Sequence, residues 1–222
     1  MRPTKKDQPI DSYLTLEIAY GHFNEALFSG ELPTCLITMQ RHKGAYGYFH
    51  GARLAHHEAP DQLVDEIALN PAGFEGRSTA EILSTLVHEM AHLWQYHYGK
   101  PGRGAYHNRE WAEKMREIGL TPKSLDQSKA DGTGQKVTHT IDVRGKFLQA
   151  CEDLMEEHGR TVLYRDRLTQ EPATKAKAAS KTKYTCPACQ LNAWAKPGVN
   201  LVCGDCSEPM TAAAIDGDGD EP

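Results

Sequence analysis

An α-helix advances 100° per residue, so the two histidines of VHEMAH, His88 and His92, lie one turn apart on one face. They sit inside an otherwise apolar segment, and fifteen residues after His92 comes His107 in AYHNREW. Imidazoles facing a core need partners, which restricts the folds open to such a chain. At this spacing two of them can grip one Zn²⁺ at about 2.0–2.1 Å, with Glu89 placed beside a water as a candidate general base.

The surroundings favour a buried helix. Ser78-Thr79-Ala80-Glu81 reads as a capping box, the Ser78 hydroxyl taking an orphan N–H of the first turn and Glu81 reaching back. Beyond it Ile82, Leu83, Leu86, Val87, Met90, Ala91, Leu93 and Trp94 cover most of the circumference. One stripe stays polar: Ser84, His88, His92 and Gln95 fall within roughly 40° of His88. The helix is expected to run to about Tyr98, followed by the breaker-rich loop Gly99-Lys100-Pro101-Gly102-Arg103-Gly104. A second helical pattern, Trp111, Ala112, Met115 and Ile118, starts just after His107 and stops at Gly119, with Pro122 beyond. Folded back over the polar stripe, its start supplies His107 as a third ligand. Three protein ligands with an open fourth position describe a catalytic zinc site. The loop is too long for HExxHxxGxxH, and Gln95 stands where that pattern has Gly.

With HEMAHLWQ, a Gly/Pro-rich loop and YHNREWAEKMREIGL in view, the chain resembles the SprT-like, or Spartan-type, zinc metalloprotease domain. The resemblance extends to SYLTLEIAYGHFNEALFSGELP, CLITMQR, YGYF and a terminal Cys-pair module, and covers about residues 10–165 plus that module. It implies that His88, His92 and His107 are zinc ligands and Glu89 is catalytic. It further implies cleavage of proteins bound or crosslinked to DNA, in DNA–protein crosslink repair, with DNA binding controlling activity. The polar dipeptide after His107, where many members carry Gly, is a departure that touches the neighbouring substrate cleft.

A second metal signal lies near the other end. Cys186-Pro-Ala-Cys189 and Cys203-Gly-Asp-Cys206 are two CxxC knuckles separated by thirteen residues. Two such pairs complete a closed tetrahedral Cys₄ site, and the insert leaves room for the hairpin of a zinc ribbon. So little core exists here that metal must supply the folding energy. The N-terminal MRPTKKDQPI lacks the apolar stretch of an export signal, so disulfides are not expected. Cys35 and Cys151 read as reduced core residues. No apolar run approaches the length of a membrane span; the chain is expected in the cytoplasm and not secreted, and the resemblance implies association with the nucleoid.

A net charge of −5 argues at first against nucleic acid, but residues 216–222 alone bring four acids and no base. The stretch 172–183 carries Lys175, Lys177, Lys181 and Lys183 without an acid, which predicts a flexible linker and makes these lysines candidate phosphate contacts beside the ribbon. The DGDGD tail reads as disordered and acidic, its resemblance to a calcium loop cut short.

The expected organisation is α+β: a zincin-like metalloprotease domain over 1–165, a Lys-rich linker over 166–183, a Cys₄ zinc ribbon over 184–210 and an acidic tail over 211–222. The first domain is read as a helix over 10–29, with Leu14, Leu16, Ile18, Phe23, Leu27 and Phe28 apolar, and strands at 35–41, 46–50 and 63–69. The two metal-site helices follow, then a strand near Thr138–Val143 and a helix over about 146–158. His97 lies about 180° round from His88. His22, His42, His50, His56, His57, His139 and His158 lack ligand spacing. Tyr106 reads as a packed aromatic or an oxyanion partner. Glu110 reads as a surface charge or as an orienter of a ligand histidine.

The residues predict a zinc metalloendopeptidase with one catalytic and one structural Zn²⁺, and the resemblance implies that it acts on DNA-bound proteins. Two other readings remain open at this point. One is a non-catalytic, zinc-stabilised DNA-binding or adaptor protein; the other is a regulatory protease with one protein target and no DNA requirement.

Overall fold

A computed structural model describes residues 10–126, 128–129, 131–159, 163–167 and 181–212. They fall into two units, divided between residues 169 and 170.

The first unit opens with helix α1 (Ile10–Phe28), which buries Ser12, Leu16, Ala19, Phe23 and Leu27 along one 3.6-residue stripe. Leu14 and Ile18, expected among its packing positions, are 48% and 43% exposed, because each stands about 200° from Leu16. The chain then builds β1 (Leu36–Met39), β2 (Gly47–Ala55) and β3 (Leu63–Leu69). Their order is β1-β3-β2, with β1 parallel and β2 antiparallel to the central β3. Strand β2 continues past residue 50, where the expected strand ends. It does so through an irregularity between His50 and Leu54, where Ala52 takes φ 49° and gives its N–H to Asp65 Oδ1 at 2.7 Å. Asn70 then caps the 3₁₀ turn Pro71–Phe74.

Helix α2 (Thr79–Tyr98) starts on the full capping box, Ser78 and Glu81 each satisfying the other's backbone N–H. Helix α3 (Arg109–Glu117) starts on Asn108, whose side chain accepts from Trp111 N. Directly after Gly119 comes β4 (Leu120–Ser124), paired antiparallel with β5 (Val137–Ile141). A loop is expected here from the sequence, with Pro122 beyond the helix stop at Gly119. The proline is tolerated in a two-stranded sheet, where one side of each strand needs no ladder partner. Helix α4 (Lys146–His158) turns Phe147, Ala150, Cys151 and Leu154 inward, and Phe147 meets Phe23 of α1 at 5.5 Å between ring centroids. The core gathers Phe23, Leu69, Leu83, Leu86, Met90, Trp111, Met115 and Phe147 around α2. Among the described residues the architecture is α+β: four α-helices with small sheets.

The second unit is a three-stranded antiparallel sheet of order β7-β6-β8, with β6 Thr182–Thr185, β7 Asn192–Ala195 and β8 Thr211–Ala212. Its strands thus use residues on both flanks of 184–210. Its interior is slight: Tyr184, Cys186 and Cys203 are the buried apolar residues among those described.

Candidate metal centre and active site

Helix α2 carries His88 and His92 on the polar stripe, and His107 stands one residue before the Asn108 cap of α3. A local bridge holds His107: its N–H donates to Gly134 O at 2.9 Å and its C=O accepts from Gly134 N at 3.0 Å. The ring joins in, Nδ1 donating to the same Gly134 carbonyl at 3.0 Å. That bond leaves His107 Nε2 as a bare lone pair. One nitrogen from each of His88, His92 and His107 lies within 4.8 Å of the others. The Nε2 atoms of His88 and His107 are 3.3 Å apart, the separation that two nitrogens at about 2.0–2.1 Å on a tetrahedral zinc require. Trp111 floors the group, its ring centroid 4.8, 5.0 and 4.4 Å from those of His88, His92 and His107.

Burial determines the charge state here. It drives His88 well below the usual imidazole range, helped by His92, His139 and His107. His92 is pushed down to about 3 by burial and by His107. His107 is lowered by burial, against the pull of the Gly134 carbonyl. Three neutral imidazoles are a donor set suited to zinc. Glu89 is buried on the same helix, and desolvation pushes its carboxyl up to about 8. Gly47 of β2 makes the room beside it: a Cβ there would lie 3.1 Å from Glu89 Oε1 and 2.9 Å from Ala68 O.

Two neighbours of the site have no ligand spacing and escape sequence reasoning. His139 of β5 places Nδ1 3.1 Å from His88 Nδ1 and Nε2 2.8 Å from Ser84 Oγ. Gly134 is the other. The clue available for His139 was the polar Ser84, stacked one turn before His88 on the helix stripe. Other candidates land elsewhere. Gln95 and the backbone N of Lys100 both donate to Glu110 Oε2 at 2.7 Å, so Glu110 ties the inter-helix loop to α2. Tyr106 accepts from Lys129 Nζ at 3.1 Å, which lowers its hydroxyl. His97 pairs with Asp65 at 2.6 Å, away from the stripe. Cys35 and Cys151 are free thiols that burial pushes up to about 12 and about 11.

In the second unit the sulfurs of Cys186, Cys189, Cys203 and Cys206 all lie within 4.8 Å of one another, Cys189 and Cys203 at 3.6 Å. Sulfurs about 2.3 Å from a tetrahedral zinc stand about 3.8 Å apart, so these four fit that ion. The two knuckles repeat one design. Cys186 N donates to Leu191 O and Cys203 N to Glu208 O, both at 2.9 Å. Gln190 N returns to Cys186 O and Ser207 N to Cys203 O, with left-handed φ of 63° and 54° at those two residues. The backbone N–H of Cys189 leads the groups that pull the Cys186 thiol down to about 7. Lys183 is exposed and stands directly across from Trp194, itself 62% exposed; Lys181 is exposed on the same strand end. Lys175, Lys177 and residues 213–222 lie outside the described residues, while Thr211–Ala212, expected at the start of the acidic tail, form β8.

The profile of the SprT-like family matches residues 16–138. An "uncharacterized protein in mucB 3'region" of Salmonella typhimurium is 51% identical over 57 residues, which span 26% of this chain and 76% of that protein. No solved structure matches.

Proposed function

The chain belongs to the SprT-like family, and from that membership we propose a zinc-dependent metalloendopeptidase with a zincin-like catalytic unit, cleaving proteins bound or crosslinked to DNA. The observation that carries the reading is the group of one nitrogen each from His88, His92 and His107 within 4.8 Å of one another, with Glu89 buried on the helix that carries the first two. His88, His92 and His107 would hold the catalytic zinc, and Cys186, Cys189, Cys203 and Cys206 a structural one. When bound, zinc supplies a Lewis acid that polarises the scissile carbonyl and lowers the pKa of a water towards about 7. Glu89 takes a proton from the attacking water and delivers it to the leaving amine. Trp111 packs against all three histidine rings.

The DNA part of the reading draws on the second unit. An exposed Trp194 opposite Lys183 is a surface on which a base can stack while a phosphate is neutralised. The ribbon would tether the protease, raising its effective concentration near proteins on the same strand. We place its action at the nucleoid; no described helix is long and apolar enough to cross a membrane.

The test is cleavage of a DNA-crosslinked protein by the full chain, with no DNA, single-stranded DNA or duplex DNA. Two zinc ions per chain are expected by metal analysis. Cleavage should require DNA and should vanish in Glu89→Gln while both zincs remain. Equal cleavage without DNA would move the protein to the regulatory class. Zinc-loaded chain inert in every arm would overturn the enzymatic reading.

A further inference from the structure

His88 is held from behind. Its Nε2 faces His107, and its Nδ1 meets His139 Nδ1 at 3.1 Å. On the far side of the His139 ring, Nε2 meets Ser84 Oγ at 2.8 Å, and Ser84 in turn donates to the Glu81 carbonyl at 2.8 Å. The four groups form one line: Glu81 C=O, Ser84 hydroxyl, His139 ring, His88 ring.

Proton positions along the line follow from which groups can only accept. A carbonyl oxygen has no proton, so Ser84 spends its single one on Glu81 O. The Ser84 oxygen therefore accepts from His139, which must carry its proton on Nε2. His139 Nδ1 is then a lone pair, and it can meet His88 Nδ1 only if His88 carries its proton there. Read from the other end the assignment is the same. A His88 that offers Nε2 to a metal must be protonated on Nδ1, and that N–H needs an acceptor in a buried site.

We infer that His139 and Ser84 are positioning residues, fixing both the orientation and the tautomer of His88 so that its Nε2 lone pair faces the metal position shared with His92 and His107. This rests on the reading of those three histidines as zinc ligands. His107 receives the same service from the Gly134 carbonyl. A backbone oxygen does for one ligand what a second histidine, backed by a serine, does for the other. Outer partners of this kind affect metal affinity by about ten- to a hundredfold.

The experiment is chelator competition for zinc with the full chain and three variants, alongside ¹⁵N spectra of the imidazoles, which distinguish the histidine-bound from the cysteine-bound metal. His139→Leu removes the acceptor and should weaken zinc binding at the histidine site about ten- to a hundredfold. His139→Asn, whose Oδ1 stands near the place of Nδ1 and can only accept, should recover most of that loss. Ser84→Ala should weaken binding in the same direction, by less. In the zinc-loaded wild-type chain His139 should carry its proton on Nε2 and His88 on Nδ1. Thermal unfolding of the zinc-free variants checks folding; if Leu fails to fold, Asn and Ser84→Ala carry the comparison together with the wild-type spectrum. Wild-type zinc affinity in His139→Leu, equal losses for Leu and Asn, or His139 bound to zinc through Nδ1 would each overturn the inference alone. A wild-type chain holding only the cysteine-bound zinc would overturn the metal-site reading and this inference with it.

Discussion

At the scale of single residues, the space around Glu89 is set by an absent side chain. Gly47 lies in the strand facing α2, and any Cβ there meets Ala68 O, Thr85 Cγ2 and Glu89 Oε1 within 3.1 Å. Gly47→Ala should therefore retain zinc but lose turnover, with a stability cost of about 1–3 kcal/mol from overpacking; metal analysis, a cleavage assay and urea unfolding check the three parts. The buried titratable groups make a second prediction, for the zinc-free chain. His92 and His139 fall from an ordinary 6.5 to about 3 and about 4, and His88 and His107 move the same way. Below pH 6.5 the unfolded chain takes up protons that the folded one refuses, so stability falls with acidification. Glu89 has the opposite sign: raised from 4.5 to about 8, its contribution is complete below 4.5 and is lost as pH rises through 8. With four histidines against one carboxylate, unfolding midpoints should peak near pH 6.5 and decline on both sides. Of these residues, His88, Glu89, His92 and His107 were legible from spacing along one helix and its successor. His139 and Gly134 were not, because they reach the site across 51 and 27 positions of chain through the pairing of separate elements.

At the scale of elements, legibility followed local punctuation. Helix α2 starts where its capping box says it starts, and α4 occupies the expected span, since caps and 3.6-residue periodicity are written in neighbouring residues. Strand β4 and the second half of β2 hid behind features that look like endings, Pro122 in one and the left-handed Ala52 in the other. Both persist because a partner strand supplies what the local sequence lacks. The cap itself is testable. Ser78 accepts from Glu81 N at 3.3 Å, and Glu81 Oε2 accepts from Ser78 N at 2.7 Å. Ser78→Ala should cost about 1 kcal/mol in urea unfolding of the zinc-loaded chain, with zinc stoichiometry unchanged, because the cap is nearly three turns from His88 on a helix otherwise anchored by its buried face.

At the scale of the whole molecule, two units divide the work proposed for the chain, so removing one should leave the other's chemistry in place. Deleting residues 172–222 should leave a folded, zinc-loaded first unit with weaker affinity for DNA. Binding by the full chain should fall steeply with added salt, and removal of 216–222 alone should tighten it, since four acids leave with that tail. Titration of labelled single-stranded and duplex DNA at two salt concentrations checks all three; equal affinity for full and shortened chains would put the DNA site in the first unit.

The donor atoms are segregated, nitrogen in one unit and sulfur in the other. Peroxide and other thiol oxidants consume sulfur ligands and spare imidazoles. Thiol oxidation would thus release an ion held by the four cysteines and leave one held by the three histidines in place. On the function proposed above, oxidation would alter first where the chain acts, ahead of the chemistry assigned to the histidine group.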